Sequence, residues 1–493
     1  MISSLTTGAD GVEGIGVVAA GHPLTVKAAA DVLVDGGNAI DAALAAMAMA
    51  CVCEPVLASI GGGGFAMVRR PGDEAPTLID FFPQTPRRRR QPAEQGTQTI
   101  HANFGAATQA FRIGPGTVAT PGFPAGIGAL QRFGSSRPLI DLFGPAISSA
   151  TDGVEITDFQ HFLFTVVAPI LTATEEARSL FAPDGPMLAP GSRLLNPGLA
   201  NALTILASSS SVDNPVMGAI LEAQAADGNL TADDLTHYEA TVRPPLTVKV
   251  GRALVHLNPF PAAGGVLVEH SLKQLSSADP LNIAEAFRAT AKARAAATDD
   301  LGRLDPALLR TEGTTHISVI DDEGTACAVT ISNGAGNGEI VDHFGFMLNN
   351  ILGEDDLNPL GPGVWPTDTR LSSMMCPTIV EQADGGLVAM GTGGSNRIRT
   401  AITQVVAQLC LNDADLVSAV DAPRLHVEGD HLDFEDQLGD EVRAELCARF
   451  DDHLAWPEPD LFYGGVHAVQ RRADGRLVGH GDGRRDGAAA VID

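Results

Sequence analysis

Positive charge is scarce in this chain. Its 32 Lys and Arg stand against 60 Asp and Glu, a formal net charge of −28. Phosphate backbones are met by Lys and Arg, so the acidic balance argues against nucleic acid as a partner and favours solubility. Cysteine is scarce too: six in 493 residues make no disulfide framework. The only close pair, Cys51-Val52-Cys53, lies in an apolar helical run and reads as buried thiols rather than metal ligands. No stretch reaches the roughly 18 apolar residues of a membrane span. Met1 to Gly21 lacks a basic region followed by an apolar run, so a cytoplasmic protein without a membrane partner is expected. His22, His343, His426 and His467 lack metal-ligand spacing, and no Ser-His-Asp arrangement is evident. No metal or other cofactor is expected. Internal repeats are absent.

What remains is a chain with enough apolar content, 44%, for a substantial core. Its length allows two or three domains or one large α/β body. Thr25 to Leu33 reads as a helix ended by Gly36-Gly37. Asn38 can cap the next helix, which Ile40, Leu44, Met47, Met49 and five alanines make apolar nearly all round. Such a helix belongs inside a domain. Gly61 to Gly64 lacks the Lys-Ser/Thr of a phosphate loop and suits a loop of close backbone approach beside a pocket. Arg87 to Arg90 reads as a solvated loop. Ile283 to Ala297 is an Ala-rich helix, and Asp299 to Gly313 reads as a linker. Thr378 to Glu381 and Leu387 to Met390 are expected strands around the turn Asp384-Gly385-Gly386. Gly393-Gly394-Ser395 is expected to open a helix with Ile398, Ile402, Val405 and Leu409 on its apolar face.

The chain is organised around Gly313-Thr314-Thr315-His316. The alternation in Ile317 to Asp321 predicts a half-buried strand. Asp322-Glu323-Gly324 supplies a turn. Thr325 to Ser332 predicts the return strand, with Cys327, Val329 and Ile331 on one face. If the Gly313–Thr314 bond breaks, Thr314 carries a nucleophilic hydroxyl and a free amine on one residue. An α-amine with a pKa of about 7.7–8.0 can serve as the base for that hydroxyl.

Thr314-Thr315-His316 with the following Ser-Val-x-Asp-x-x-Gly resembles the start of the small subunit of the γ-glutamyltranspeptidases, self-cleaving N-terminal-nucleophile hydrolases. Three further stretches are similar and in the family's order. They are Gly36 to Ala43, Glu54-Pro55 with Ser59 to Phe65, and Leu371-Ser372-Ser373 with Gly391 to Ser395. The resemblance implies an α+β fold, a four-layer αββα sandwich of two antiparallel sheets. Residues 1–313 and 314–493 would be the large and small segments of one body, paired after a cut at Gly313–Thr314. It implies Thr314 as nucleophile and Ser332 bonded to it. Gly393 and Gly394 would be the oxyanion hole, also sensible physically if a helix starts there. Ser372, Ser373, Asn333, Asp355 and Phe82 would be the substrate-binding positions.

Two departures stand out. Phe82 replaces the arginine that holds the substrate α-carboxylate in the family, and an apolar ring cannot do that. Ile351 replaces a glutamine that helps bind the substrate amine; Glu354, Asp355 and Asp356 are candidates for a nearby acid. His316 is expected to be structural. Three readings follow. The first is a γ-glutamyl hydrolase or transferase for amides such as glutathione, with water or an amine as acceptor. The second is a related acylase for substrates without the amino-acid head. The third is an uncleaved binding protein, opposed by the intact Thr314, Ser332, Ser372, Ser373, Gly393 and Gly394. A homo-oligomer is compatible with all three.

Overall fold

The computed structural model describes residues 11–103, 108–209, 214–296, 313–354 and 363–493. Two sheets face each other. The first has seven strands, in the order Ala488–Ile492, Gly16–Ala20, Gly313–Asp321, Ala326–Gly334, Gly63–Arg69, Thr77–Phe81 and Thr241–Arg243. The second has six, in the order Leu477–His480, Gly465–Arg471, Leu387–Gly393, Thr378–Glu381, Ala253–Leu257 and Leu246–Val250. Every pairing in both is antiparallel. Helices Pro23–Val34 and Ala39–Cys53 cover the outer face of the first sheet, and Ala263–Gln274 and Arg397–Leu411 that of the second. This is the expected αββα sandwich. Chain from both sides of Gly313 enters both sheets.

The helix Ala39–Cys53 is buried at every position, as its all-round apolar sequence requires. Asn38 caps it, accepting from the N–H groups of Ile40 and Asp41. Cys51 and Cys53 are buried free thiols whose pKa values burial pushes up. Of the glycine run, Gly63 and Gly64 open a strand instead of belonging to a loop, and pair with Ser332 and Ile331. Of the linker read over 299–313, residues 299–312 lie outside the described residues, and Gly313 belongs to a strand instead, paired with Gly334.

The hairpin departs from expectation in one respect. Gly313–Asp321 is buried on both faces, not one. Ile317 and Val319 meet the helix layer, as do Cys327, Val329 and Ile331 of the return strand. The polar positions of the alternation face the second sheet, where they satisfy one another. Ser318 Oγ donates to the His467 carbonyl at 3.1 Å. It lies 2.8 Å from His316 Nε2, and Thr330 Oγ1 lies 2.8 Å from Nδ1. Burial holds the imidazole pKa well below its ordinary value, so His316 is a neutral core group, as expected of a structural residue. The ring packs against Gly391 of the opposite sheet, where an added Cβ would overlap it. Gly391→Ala should therefore destabilise the sheet interface by about 1–3 kcal/mol, read as a lower urea midpoint. An unchanged midpoint would show that the ring has room to move.

Candidate active site

Thr314 lies at the start of the central hairpin, 4% exposed, on the face turned to the second sheet. Ser332 stands directly opposite. The register shifts between Gly313 and Thr314, because Gly313 pairs with Gly334 while Thr314 pairs with Ser332. Asn333 is thus the extra residue of a β-bulge, a feature that re-aims neighbouring side chains. Ser332 Oγ donates to the Gly313 carbonyl oxygen at 2.6 Å and accepts from the Gly334 N–H at 3.0 Å. The hydroxyl expected on the nucleophile therefore polarises the carbonyl of the peptide bond before it. Gly313 has no room for a Cβ, which would overlap the carbonyl oxygens of Val56 and Gly334. Close backbone approach accounts for this glycine.

Thr315 points the other way, to the helix layer. Its hydroxyl donates to Glu54 Oε2 at 2.6 Å, and Thr25 Oγ1 donates to Oε1 at 3.0 Å. Glu54 follows the last residue of the buried helix and is itself buried. Desolvation raises its pKa from 4.5 to about 7 against the two hydroxyl bonds, with a smaller push from Asp486. In the sequence Glu54 stands out only as part of the Glu54-Pro55 motif. The available signal was an acid directly after fifteen buried residues, and it becomes visible only once that helix is known to be internal.

The opposite wall corrects an expectation. The strand Leu387–Gly393 runs through Gly393, which pairs with Gly465, and the helix starts at Arg397, not at Gly393. Gly394 and Ser395 form the turn between them, with φ of 122° and 52°. The free donors are those of a turn: among the described residues, the N–H groups of Gly394 and Ser395 have no acceptor. Gly393 meets Thr314 so closely that a Cβ would overlap the Thr314 carbonyl oxygen. The buried Arg485 guanidinium lies behind both glycines, 3.2 Å and 3.3 Å from where their Cβ atoms would be. Burial, then the neighbouring Arg397 charge, lower its pKa to about 10, which leaves it charged at neutral pH. Nothing in the sequence singles out Arg485.

A pocket opens on Thr314. Phe82, Ile351, Met374, Met375 and Ile398 form its apolar wall, and Ser332, Ser373, Ser395 and Glu354 its polar side. Among the described residues it contains no Lys or Arg. Phe82 is buried and stacked on Phe65, with ring centroids 5.4 Å apart. Ser372 is half-buried and outside the lining. Asn333 is also outside it, its Nδ2 donating to the Leu348 carbonyl at 3.4 Å. Asp355 lies outside the described residues. The arginine run does not reach the pocket. Arg87 pairs with Asp233 and Asp368, Arg89 donates to the Trp365 carbonyl, and Arg90 donates to those of Gly228 and Ala225.

A buried hydroxyl opening a central strand of an αββα sandwich, with a glycine turn facing it, defines the N-terminal-nucleophile class of hydrolases and acyltransferases. The γ-glutamyltranspeptidase family model matches residues 25–300 and 282–492, and the chain belongs to that family. It is 28% identical to the acylase ACY 1 proenzyme of Pseudomonas sp. (strain V22), over 97% of this chain and 93% of that protein. It is also 28% identical to the glutathione hydrolase proenzyme of Escherichia coli (strain K12), over 95% and 90%. In fold it matches the crystal structure of cephalosporin acylase from Bacillus halodurans. The TM-score is 0.80 at 20% identity, covering 100% of this chain and 98% of that one. The protein is an enzyme of this hydrolase and transferase family.

The raised Glu54 pKa has a consequence for stability. The folded state holds this proton more tightly than the unfolded chain, so the stability it gives is present in acid and lost as pH rises through about 7. Glu54→Gln should remove that loss. Between about pH 5 and pH 8 its unfolding free energy should fall less than that of the wild type. Parallel pH profiles would show that Glu54 does not titrate in this range.

Proposed function

We propose that this chain cuts itself between Gly313 and Thr314, and that the freed Thr314 then hydrolyses or transfers the acyl group of small amides. The observation that carries the reading is the Ser332 hydroxyl on the Gly313 carbonyl oxygen, 2.6 Å away, beside a buried Thr314. In maturation the Thr314 Oγ attacks the Gly313 carbonyl carbon. The Ser332 hydroxyl, donating to that oxygen, stabilises the negative charge developing on it. The Thr314 hydroxyl proton passes to the departing nitrogen as the C–N bond breaks, giving an ester on Thr314 and a free α-amine, and water hydrolyses the ester. In turnover the amine accepts the proton of the Thr314 hydroxyl as Oγ attacks an amide carbonyl. The free N–H groups of the Gly394–Ser395 turn meet the oxyanion, the leaving amine takes the proton, and an acyl-enzyme forms. Water or an amine acceptor then removes the acyl group.

For the acyl group, the kinship with glutathione hydrolases supports γ-glutamyl amides such as glutathione. A specific observation favours the second reading, an acyl group without the amino-acid head. Five apolar residues wall the pocket, and among the described residues no cation lines it. Burying a carboxylate without a charged partner is costly, and the hydroxyl of Ser373 alone compensates poorly.

Under denaturing conditions the purified protein should run as two pieces, 1–313 and 314–493. Thr314→Ala should stay as one piece and be inactive, and Ser332→Ala should cut itself roughly a hundred- to a thousandfold more slowly. A wild type that stays full length after prolonged incubation would sink the reading. For substrate choice, turnover of γ-glutamyl-anilide is compared with that of glutaryl-anilide, which lacks the amine but keeps a carboxylate. A γ-glutamyl preference of about a hundredfold or more, some 2.7 kcal/mol, would mean that the amino-acid head is read. Comparable rates, with γ-glutamyl turnover raised by Phe82→Arg, would assign specificity to Phe82.

A further inference from the structure

Ser395 lies where the strand Leu387–Gly393 gives way to the helix Arg397–Leu411. It lines the pocket beside Thr314 and Ser332 and is 3% exposed. Its Oγ is buried and has no hydrogen-bond partner among the described residues. Buried hydroxyls nearly always find a partner, and leaving one without is costly. Its backbone adds a second anomaly. With φ at 52° it occupies the left-handed region that favours glycine. Strained conformations persist where the surroundings hold them and cluster at functional sites. Here the turn is pinned on its far side, since Arg397 N–H donates to the Gly394 carbonyl and Ile398 N–H to that of Ser395. A purely structural turn at this φ would be served better by glycine, which pays no Cβ penalty and buries no hydroxyl.

We propose that Ser395 is a further catalytic residue of this site. Its Oγ–H donates to the carbonyl oxygen of the bound acyl group as that oxygen becomes an oxyanion, next to the Gly394 N–H. This rests on the Thr314 acyl-enzyme reading. It assigns the missing hydrogen-bond partner to the substrate and gives the strained turn a purpose, because the φ of Ser395 is what aims the hydroxyl inward. Self-cleavage places its charge on a different oxygen, that of Gly313, already held by Ser332. The Ser395 hydroxyl is therefore needed in turnover and not in maturation.

The test uses full-length Ser395→Gly and Ser395→Ala, with γ-glutamyl-anilide and glutaryl-anilide as probes. Glycine relaxes the backbone and removes the hydroxyl; alanine removes the hydroxyl alone. Both variants should cut themselves at the wild-type rate. Both should lose kcat by roughly a hundredfold, as expected for one oxyanion donor, with KM changed by no more than about threefold. A Ser395→Gly enzyme with wild-type kcat would overturn the proposal and leave Ser395 a turn residue. Failure of both variants to cut themselves would also overturn it, by placing the hydroxyl in maturation. A wild type that releases aniline from neither probe would overturn it together with the acyl-enzyme reading. Equal kcat in wild type and variants would overturn the Ser395 assignment alone.

Discussion

Backbone meets backbone around Thr314 at distances no side chain would permit. Gly313 is wedged between the Val56 and Gly334 carbonyls, and Gly393 of the opposite sheet lies against the Thr314 carbonyl. This double approach fixes the first residue of the central strand between two sheets, and the rest of the site is arranged around it. The bulge at Asn333 turns Ser332 onto the Gly313 carbonyl. The glycine turn after Gly393 brings Gly394 and Ser395 to the other side. Backbone held this tightly has little freedom to lose, which is the physical content of preorganisation.

The beginning of the strand also lies between two buried charges of opposite sign. On the helix side Glu54 has no ion-pair partner among the described residues and is bonded only by hydroxyls, so burial moves its pKa to about 7. On the sheet side Arg485 is lowered to about 10 and remains charged at neutral pH. Both are consequences of desolvation. The difference between them is that Glu54 can give up its charge near neutrality, whereas Arg485 cannot.

Family membership narrows the chemistry further than it narrows the substrate. An acylase and a glutathione hydrolase are equally similar to this chain, each 28% identical over nearly its full length. Identity therefore does not rank the two substrate classes, and the pocket has to. Its wall sets the Phe82 ring, stacked on Phe65, beside Ile351, Met374 and Met375.

Much of this was legible in the sequence, because the signals are local or carried by linked motifs. The apolar run after Asn38 gave an internal helix, and the alternation around Thr314 gave a hairpin. Four motifs in order gave the family, with Thr314, Ser332 and Phe82 as positions to inspect. Other features depend on contacts between residues far apart in the chain, which periodicity does not record. That the hairpin is buried on both faces follows from the second sheet. That Gly393 ends a strand and the helix waits until Arg397 follows from pairing with Gly465. Glu54 reaches Thr315 across 261 positions, and Arg485 reaches the Gly393–Gly394 turn from near the end of the chain. The sequence by itself determined the family, the internal helix and the hairpin that opens at Thr314. Only the tertiary structure decided which polar groups are left facing each other in the pocket, because burial and hydrogen-bond satisfaction are properties of the packed whole.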